Sequence, residues 1–432
     1  MNTAFRTSSL SPLSQLLTQW GAHLDFVLLG ATSFLIAVGL SILKWSQPTQ
    51  AFFDKQLEFI WIGMILIVAF ACIPYRTWTN RFTVIIAYLI NLGLLLAVML
   101  KGHSAQGAQR WLSLGPITLQ PSEIAKLVVI FTLASWLGKR PIKSFFDIFK
   151  IAAIILPPAL LVFKQPDLGT SLTFGAVFLG MSFWAGATFP DILILVSPFI
   201  SLILNAVNRQ LWFTFCGILG VWLLLFWRRR DWRFLTRLGL IAAIVLSNLA
   251  IGELRPHLWG LLKEYQQKRL TSFVNPYEDP RGSGYHILQS LIAIGSGGLL
   301  GTGLGKGNQS QGAFIPERHT DFIFAVVGEE LGFKIAILVI IAYCLICFRA
   351  LATALRSKND LTGSLMAVGI MCLFLFHVFL NVGMTMGIMP VAGVPLPFLS
   401  YGGTALLVDL VAIGILQAIQ FGHPRKVKGK FH

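Results

Sequence analysis

The sequence predicts an all-α polytopic membrane protein of about twelve transmembrane helices with one large extracytoplasmic loop. Three observations predict it. Of the 432 residues, 55% are hydrophobic and 12% charged, with a mean hydropathy of +0.73, a balance that soluble domains do not carry. The apolar residues fall in separate runs, several of them near the ~17–25 residues that cross a bilayer. Lysine and arginine collect in alternate connections, the pattern that fixes orientation in a membrane. That pattern accounts for the net charge of +16 better than nucleic-acid binding does.

The chain reads as a single transmembrane domain over 1–432. Residues 1–23 are polar with one positive charge, Arg6, and lack a small-residue cleavage pattern. They are expected to be a cytoplasmic tail rather than a cleaved signal. Twelve apolar runs follow, at 24–43, 57–73, 82–100, 123–137, 149–163, 169–186, 190–207, 211–227, 238–252, 331–348, 363–388 and 396–420. The fourth and fifth are short for a crossing. All five cysteines lie in apolar runs and read as buried thiols, not a disulfide framework.

With the N-terminus inside, nineteen Lys and Arg fall on the inner side and thirteen outside, seven of these in one long loop. Long loops obey the charge rule poorly, so short loops decide, at nineteen to six. The arginine-rich run Trp227–Arg237 and the basic tail at 421–432 are the strongest inner markers and suit anionic lipid headgroups. Both termini are expected on the inner side of the membrane.

Three outward segments carry most of the polar information: Lys101–Ser122, the turn Gln165–Thr170, and the large loop at 253–330. Within that loop, Ile287, Leu291 and Ile294 recur near helical spacing in Tyr285–Leu300, which predicts a short interfacial or re-entrant helix. Gly295–Gly307 holds seven glycines in thirteen residues. It lacks the Gly-Lys-Ser/Thr ending of a phosphate loop, leaving close approach to a ligand or a flexible linker.

Pro316-Glu317-Arg318-His319-Thr320-Asp321 places two carboxylates, a guanidinium and an imidazole beside an apolar stretch. Charge at a membrane edge is expensive and points to function; a solvated helix cap with Thr320 or Asp321 as N-cap is the plainer reading. One helix from Asp321 to Cys347 would be ~40 Å long at 1.5 Å per residue, too long for a ~30 Å core. Thr320–Glu330 is therefore expected as a separate surface helix, broken near Gly328 or Gly332, holding Asp321, Glu329 and Glu330 near the outer interface. Inside the spans, Glu123 and Lys126 share one helix face and predict an ion pair, either orienting the helix or catalytic. His377 and Asn381, four apart, suit bonds between helices. Lys334 is expected to snorkel, and Asp409 needs a partner or a raised pKa.

Six ordered motifs now identify a family. They are Gly107–Leu112, Gln120-Pro121-Ser122-Glu123-Ile124-Ala125-Lys126, Gln165–Thr170, Gly284–Ser290, Pro316–Phe324, and Gly393-Val394-Pro395-Leu396-Pro397-Phe398 with Ser400-Tyr401-Gly402-Gly403. The chain resembles the SEDS family of bacterial cell-wall proteins over most of 24–420. The form of the last two motifs is more similar to its elongation branch than to its division branch. The resemblance implies a glycosyltransferase polymerising lipid II, the undecaprenyl-pyrophosphate-linked peptidoglycan precursor. It acts on the outer face with a class B penicillin-binding protein and the elongation machinery. The family's essential loop aspartate matches Asp321, and its Glu-x-x-Lys matches Glu123 and Lys126. The family usually has ten spans, so two near 190–252 are extra, about 211–227 and 238–252.

The implied reaction needs a base for the acceptor hydroxyl and positive charge at the departing pyrophosphate. Asp321 is the expected base. Arg110, Lys126 and Arg318 are candidates for the pyrophosphate, since Arg in particular suits bidentate phosphate contact. Further substrate-binding candidates are Trp111, Glu123, Asp167, Tyr285, Gln289, Glu317, His319 and Ser400; Trp111 suits an interfacial belt equally. No ligand spacing defines a metal site; a divalent cation, Mg or Mn, held by Asp321 or another carboxylate is the one cofactor to weigh. A lipid II flippase would instead spread polar residues through the full membrane depth, and a recruitment scaffold would need no base.

Overall fold

The protein is described by a computed structural model covering residues 24–422, apart from 46–49, 106–107, 115–116, 228–233, 262–263, 281, 283, 313 and 316. The N-terminal tail, the basic tail beyond 422, most of the arginine run and Pro316 therefore lie outside the described residues.

Every predicted apolar run contains a helix. In order these are α1 Phe26–Trp45, α2 Gln50–Cys72 and α3 Arg81–Lys101. A three-stranded antiparallel sheet follows, β1 His103–Ala105, β2 Ala108–Leu114 and β3 Ile117–Leu119. Then come α4 Pro121–Leu137, α5 Phe145–Lys164, α6 Leu168–Trp184, α7 Phe189–Val207, α8 Arg209–Phe226 and α9 Phe234–Glu253. The large loop holds α10 Arg255–Leu261, α11 Glu264–Val274 and α12 Tyr285–Gly297. The chain ends with α13 Gly332–Arg356, α14 Leu361–Thr385 and α15 Gly403–Phe421.

Among the described residues, ten helical stretches are long and apolar enough to cross a membrane. The 17-residue helices α4 and α6 are only ~25 Å long at 1.5 Å per residue. α4 is buried along nearly its whole length and α6 packs on α14 and α5. The chain is a multi-pass membrane protein. α5 begins earlier than its apolar run because Ser144 and Asp147 form a capping box, and twenty residues result. α15 begins later than expected, at Gly403. Pro395 and Pro397 cannot donate helix hydrogen bonds, so 390–402 stays extended and turned.

α14 is the central post, packed against α13, α6 and α4; α15 packs on α2. Where α14 meets α4 and α15 the core is closely filled: Leu365, Met366, Ile370, Leu373, Phe374, Ile413 and Leu416 are all fully buried. Buried polar side chains are not confined to the end that carries the large loop. At the opposite end Asp25 accepts from Arg349 Nε at 2.6 Å and Gln420 Nε2 at 2.9 Å, joining α1, α13 and α15. Asp409 lies between the two ends, 3% exposed.

The segment after the charged run departs from expectation in one respect. It breaks at Gly332, whose φ of +76° admits little but glycine. However, Ile323–Glu330 is buried, not on the surface. One α-turn, Ile323–Val326, passes into a π-turn, Val327–Leu331, packed against α12. Sequence arithmetic sees only length; burial follows because α12 offers a face of small residues. Ser290, Ala293 and Gly297 sit with Ile287 on that face, while Leu291 is exposed. A Cβ at Gly297 would lie 1.9 Å from the Gly328 carbonyl oxygen.

Candidate active site at the large-loop end

Asp321 sits at the end of a tight turn in which the Thr320 and Phe322 N–H groups both donate to the Glu317 carbonyl, at 3.1 and 3.2 Å. Glu317 takes φ +51° to close that turn, an uncommon conformation for a residue with a Cβ. Segment 390–402 cradles the same backbone. Ser400 Oγ donates to the Thr320 carbonyl at 2.6 Å and accepts from Leu396 N–H at 2.8 Å. Tyr401 N–H donates to the His319 carbonyl at 2.8 Å. Asn381 Nδ2 donates to the carbonyls of Asp321 at 2.9 Å and Val394 at 2.7 Å. Ser400 is thus a backbone latch in this structure.

Burial drives the Asp321 carboxyl up to about 6, with Glu317 adding to the rise and Arg269 and Arg110 opposing it. Asp167 is the next charge in reach. The carboxyl faces Gly393: a Cβ there would lie 3.4 Å from Asp321 Oδ2 and 3.5 Å from Arg269 Nη1. Glycine with φ +66° lets backbone approach where a side chain would intrude. Beside it lies a small cleft lined by Pro166, Leu168, Gln266, Arg269 and 390–392.

Arg110 reaches this neighbourhood from β2 and donates through Nη2 to the Pro166 carbonyl, fixing the turn before α6. Trp111, next along β2, pairs with His103 across the sheet. Asp167 caps α6, accepting from Thr170 N–H at 3.2 Å, Thr170 Oγ1 at 3.0 Å and Ser122 Oγ at 3.4 Å. Its role here is to join the starts of α4 and α6.

Other candidates lie elsewhere. Glu123 and Lys126 form the expected pair at 2.6 Å, both nearly fully buried. Lys126 Nζ lies 3.5 Å from His377 Nε2. The largest charge influences on Asp321 come instead from Glu317, Arg269, Arg110 and Asp167. Arg318 is within electrostatic reach of Glu330, and burial lowers its pKa. His319 packs on Phe52, ring centroids 4.7 Å apart, and burial lowers its pKa also. Tyr285 and Gln289 are half-buried on α12. Of the three cations weighed for the pyrophosphate, only Arg110 stands by Asp321.

Arg269 is the residue that sequence reasoning missed. Nothing in Gln267-Lys268-Arg269 distinguishes it from ordinary loop charge. The available signal was that Gln266 and Arg269, three apart, share a face of a polar helix. Among the described residues no group of three or more His, Cys, Asp or Glu side chains is placed to hold a metal ion; the carboxylates that influence Asp321 are Glu317 and Asp167, and Asp167 is occupied as a cap.

Comparison with known proteins places these features in a family. A profile of the FtsW, RodA and SpoVE family, described as "Cell cycle protein", matches residues 19–215 and 214–423. The chain is 37% identical over 403 residues to the peptidoglycan glycosyltransferase MrdB of Escherichia coli K12, covering 91% of this chain and 94% of that protein. It is 36% identical to the peptidoglycan glycosyltransferase RodA of Treponema pallidum, covering 84% and 88%. A chain from a solved peptidoglycan synthase complex, described as coordinating polymerization and crosslinking, superposes with a TM-score of 0.68 at 29% identity, covering 93% and 98%. With a family profile matched over nearly its whole length and relatives of 36–37% identity covering most of it, the chain belongs to the FtsW, RodA and SpoVE family.

Proposed function

We propose that the chain is a peptidoglycan glycosyltransferase that polymerises lipid II at the outer face of the cytoplasmic membrane during cell elongation. The observation that carries this reading is the Asp321 carboxyl, enclosed beside a cleft and flanked by arginines from two separate elements. Similarity to proteins named peptidoglycan glycosyltransferases supports the reaction class. The charge distribution supports inner termini and an outer large loop. Similarity to a chain of a synthase complex supports a class B penicillin-binding protein as partner, within the elongation machinery.

The chemistry follows from the geometry. The acceptor sugar's 4-hydroxyl oxygen attacks C1 of the donor, and its proton passes to a carboxylate oxygen of Asp321. The bond from C1 to the pyrophosphate oxygen breaks as the new bond forms, and its electrons leave with undecaprenyl pyrophosphate. An α-linked donor gives a β-linked product by inversion. A pKa near 6 suits a base at neutral pH, where general-base help contributes roughly 10²–10⁴-fold. Arg269 and Arg110 are placed to offset charge on the departing pyrophosphate in a site sheltered from water. No step is routed through a metal ion.

The test is lipid II polymerisation by purified Asp321→Asn together with its penicillin-binding partner. The expected rate is at least about 100-fold below wild type. A wild-type rate in a folded variant removes Asp321 as the base.

A further inference from the structure

One face of α14 makes two contacts that the reaction as derived does not use. At one position Asn381, fully buried, gives both Nδ2 hydrogens to carbonyls, those of Asp321 and Val394. Val394 follows Gly393, whose backbone faces the Asp321 carboxyl. A single amide therefore sets both walls of the reacting carboxyl: its own main chain and the segment opposite. One turn away, His377 Nε2 lies 3.5 Å from Lys126 Nζ, which is held 2.6 Å from Glu123. An ammonium group only donates, so a hydrogen bond between the two runs from Lys126 to a ring nitrogen of His377. Residues four apart on a helix are neighbours on one face, and α14 is the central, closely packed post.

We propose that Asn381 and His377 are positioning residues: through α14 they tie the Asp321 main chain to the intramembrane Glu123–Lys126 pair, which acts on the reaction without touching substrate. Burial favours this over a substrate contact by the pair: Glu123, Lys126 and His377 are each at most 2% exposed, whereas Arg269 lines the cleft and Asp321 faces Gly393 beside it. A purely structural role would account for the hydrogen bonds, but it gives no reason for the Asn381 amide to join the backbone of the base to the segment opposite it. Misplacement of a reacting group by ~1 Å costs about 10²-fold in rate, so the expected signature is in kcat.

The proposal rests on the lipid II reading, and the experiment separates the two. Full-length chain is purified with its penicillin-binding partner, and kcat and KM for lipid II are measured alongside the melting temperature. Asn381→Ala and His377→Leu are expected to lower kcat about 10- to 100-fold with KM within about 2-fold. His377→Gln, which keeps an acceptor for Lys126, is expected to restore most of that loss. If either breaking variant does not fold, Glu123→Gln/Lys126→Met decides, because a buried pair replaced by neutral groups of similar volume is often tolerated. It too is expected to lose kcat at unchanged KM. Unchanged kcat in His377→Leu overturns the proposal, as does a raised KM at constant kcat in the double variant. A kcat loss in His377→Gln as large as in His377→Leu overturns it too. A wild-type complex that forms no glycan overturns the lipid II reading itself.

Discussion

At the residue scale the enclosed Asp321 carboxyl makes a prediction in each direction of pH. Its folded pKa of about 6 lies above the ordinary 3.8. As a base it works only when ionised, so the rate is expected to fall as pH drops through about 6. Arg269 holds that value down and Glu317 holds it up. Arg269→Gln should therefore move the acid limb of the rate profile to higher pH, and Glu317→Gln should move it lower. The stability sign is opposite. A carboxyl whose folded pKa is raised contributes its stability fully below the unfolded value, and loses it as pH rises through the folded one. At pH 7.5 the ionised form is a cost to the fold, so Asp321→Asn should be inactive yet melt no lower than wild type. Rate against pH and melting in detergent check both. An acid limb that stays put in Arg269→Gln would remove Asp321 as its source. The run 316–321 alone cannot tell which of its charged groups serves the site; folding separates them. Arg318 goes toward Glu330, His319 packs on Phe52, and Asp321 faces Gly393 beside the cleft.

At the element scale the π-turn shows why a charged pair sits buried. Glu329 accepts from the N–H groups of Gln309 at 2.7 Å and Ser310 at 2.9 Å; Glu330 accepts from Gly305 N–H at 3.0 Å and Ser310 Oγ at 2.7 Å. The glycine-rich stretch and the turn after it thus wrap the Glu329–Glu330 pair: with positive φ at Gly301, Gly303 and Gly305, the Thr302 and Gly303 N–H groups donate to the Glu329 and Glu330 main-chain carbonyls, and the Gly305 N–H to the Glu330 carboxylate. Glu329→Ala would leave two buried N–H groups without acceptors, at ~1–3 kcal/mol each. It is expected to lower the melting temperature and to open 301–311 to limited proteolysis; equal stability and protection would show the clamp to be idle. Helix existence was legible in the sequence because apolar runs near the bilayer length admit little else. The strands at 103–119 and the π-turn were not. Strand pairing over a few residues leaves no strong period, and a π-turn depends on a neighbour, here α12, that periodicity does not reveal. The Glu123–Lys126 pair was legible from its spacing, whereas Arg269 became a site residue only once the loop folded back over 390–393.

At the scale of the whole molecule, the hairpin of α8 and α9, the pair that the family resemblance marks as extra, packs apart from the central post α14. α8 and α9 pack chiefly on each other and on α7, with few residues buried on either. Asn248 bridges Ser197 and Ser201 at 3.0 and 2.8 Å, and Trp212 lies against Gly252. The two ends of this hairpin are side by side. Arg209 pairs with Glu253 at 2.7 Å, and Arg255 Nη1 reaches the Asn205 carbonyl at 3.5 Å. The family profile is matched in two pieces that overlap inside α8, at 214–215. Removing two spans leaves the side of every later loop unchanged, and none of the residues around Asp321 belongs to the hairpin. Deleting 209–253, so that Asn208 joins Leu254, is therefore expected to give a folded protein whose lipid II polymerisation stays within about threefold of wild type. Two serines left facing lipid cost little, because Ser197 already donates to its own helix at Ile194, and such back-bonding satisfies a hydroxyl in a helix. The melting temperature should fall modestly as the packing against α7 is lost. A deletion variant that is monodisperse yet inactive would show that the hairpin does more than decorate the bundle. Its charged connection, Arg228–Arg237, would then be the next segment to exchange.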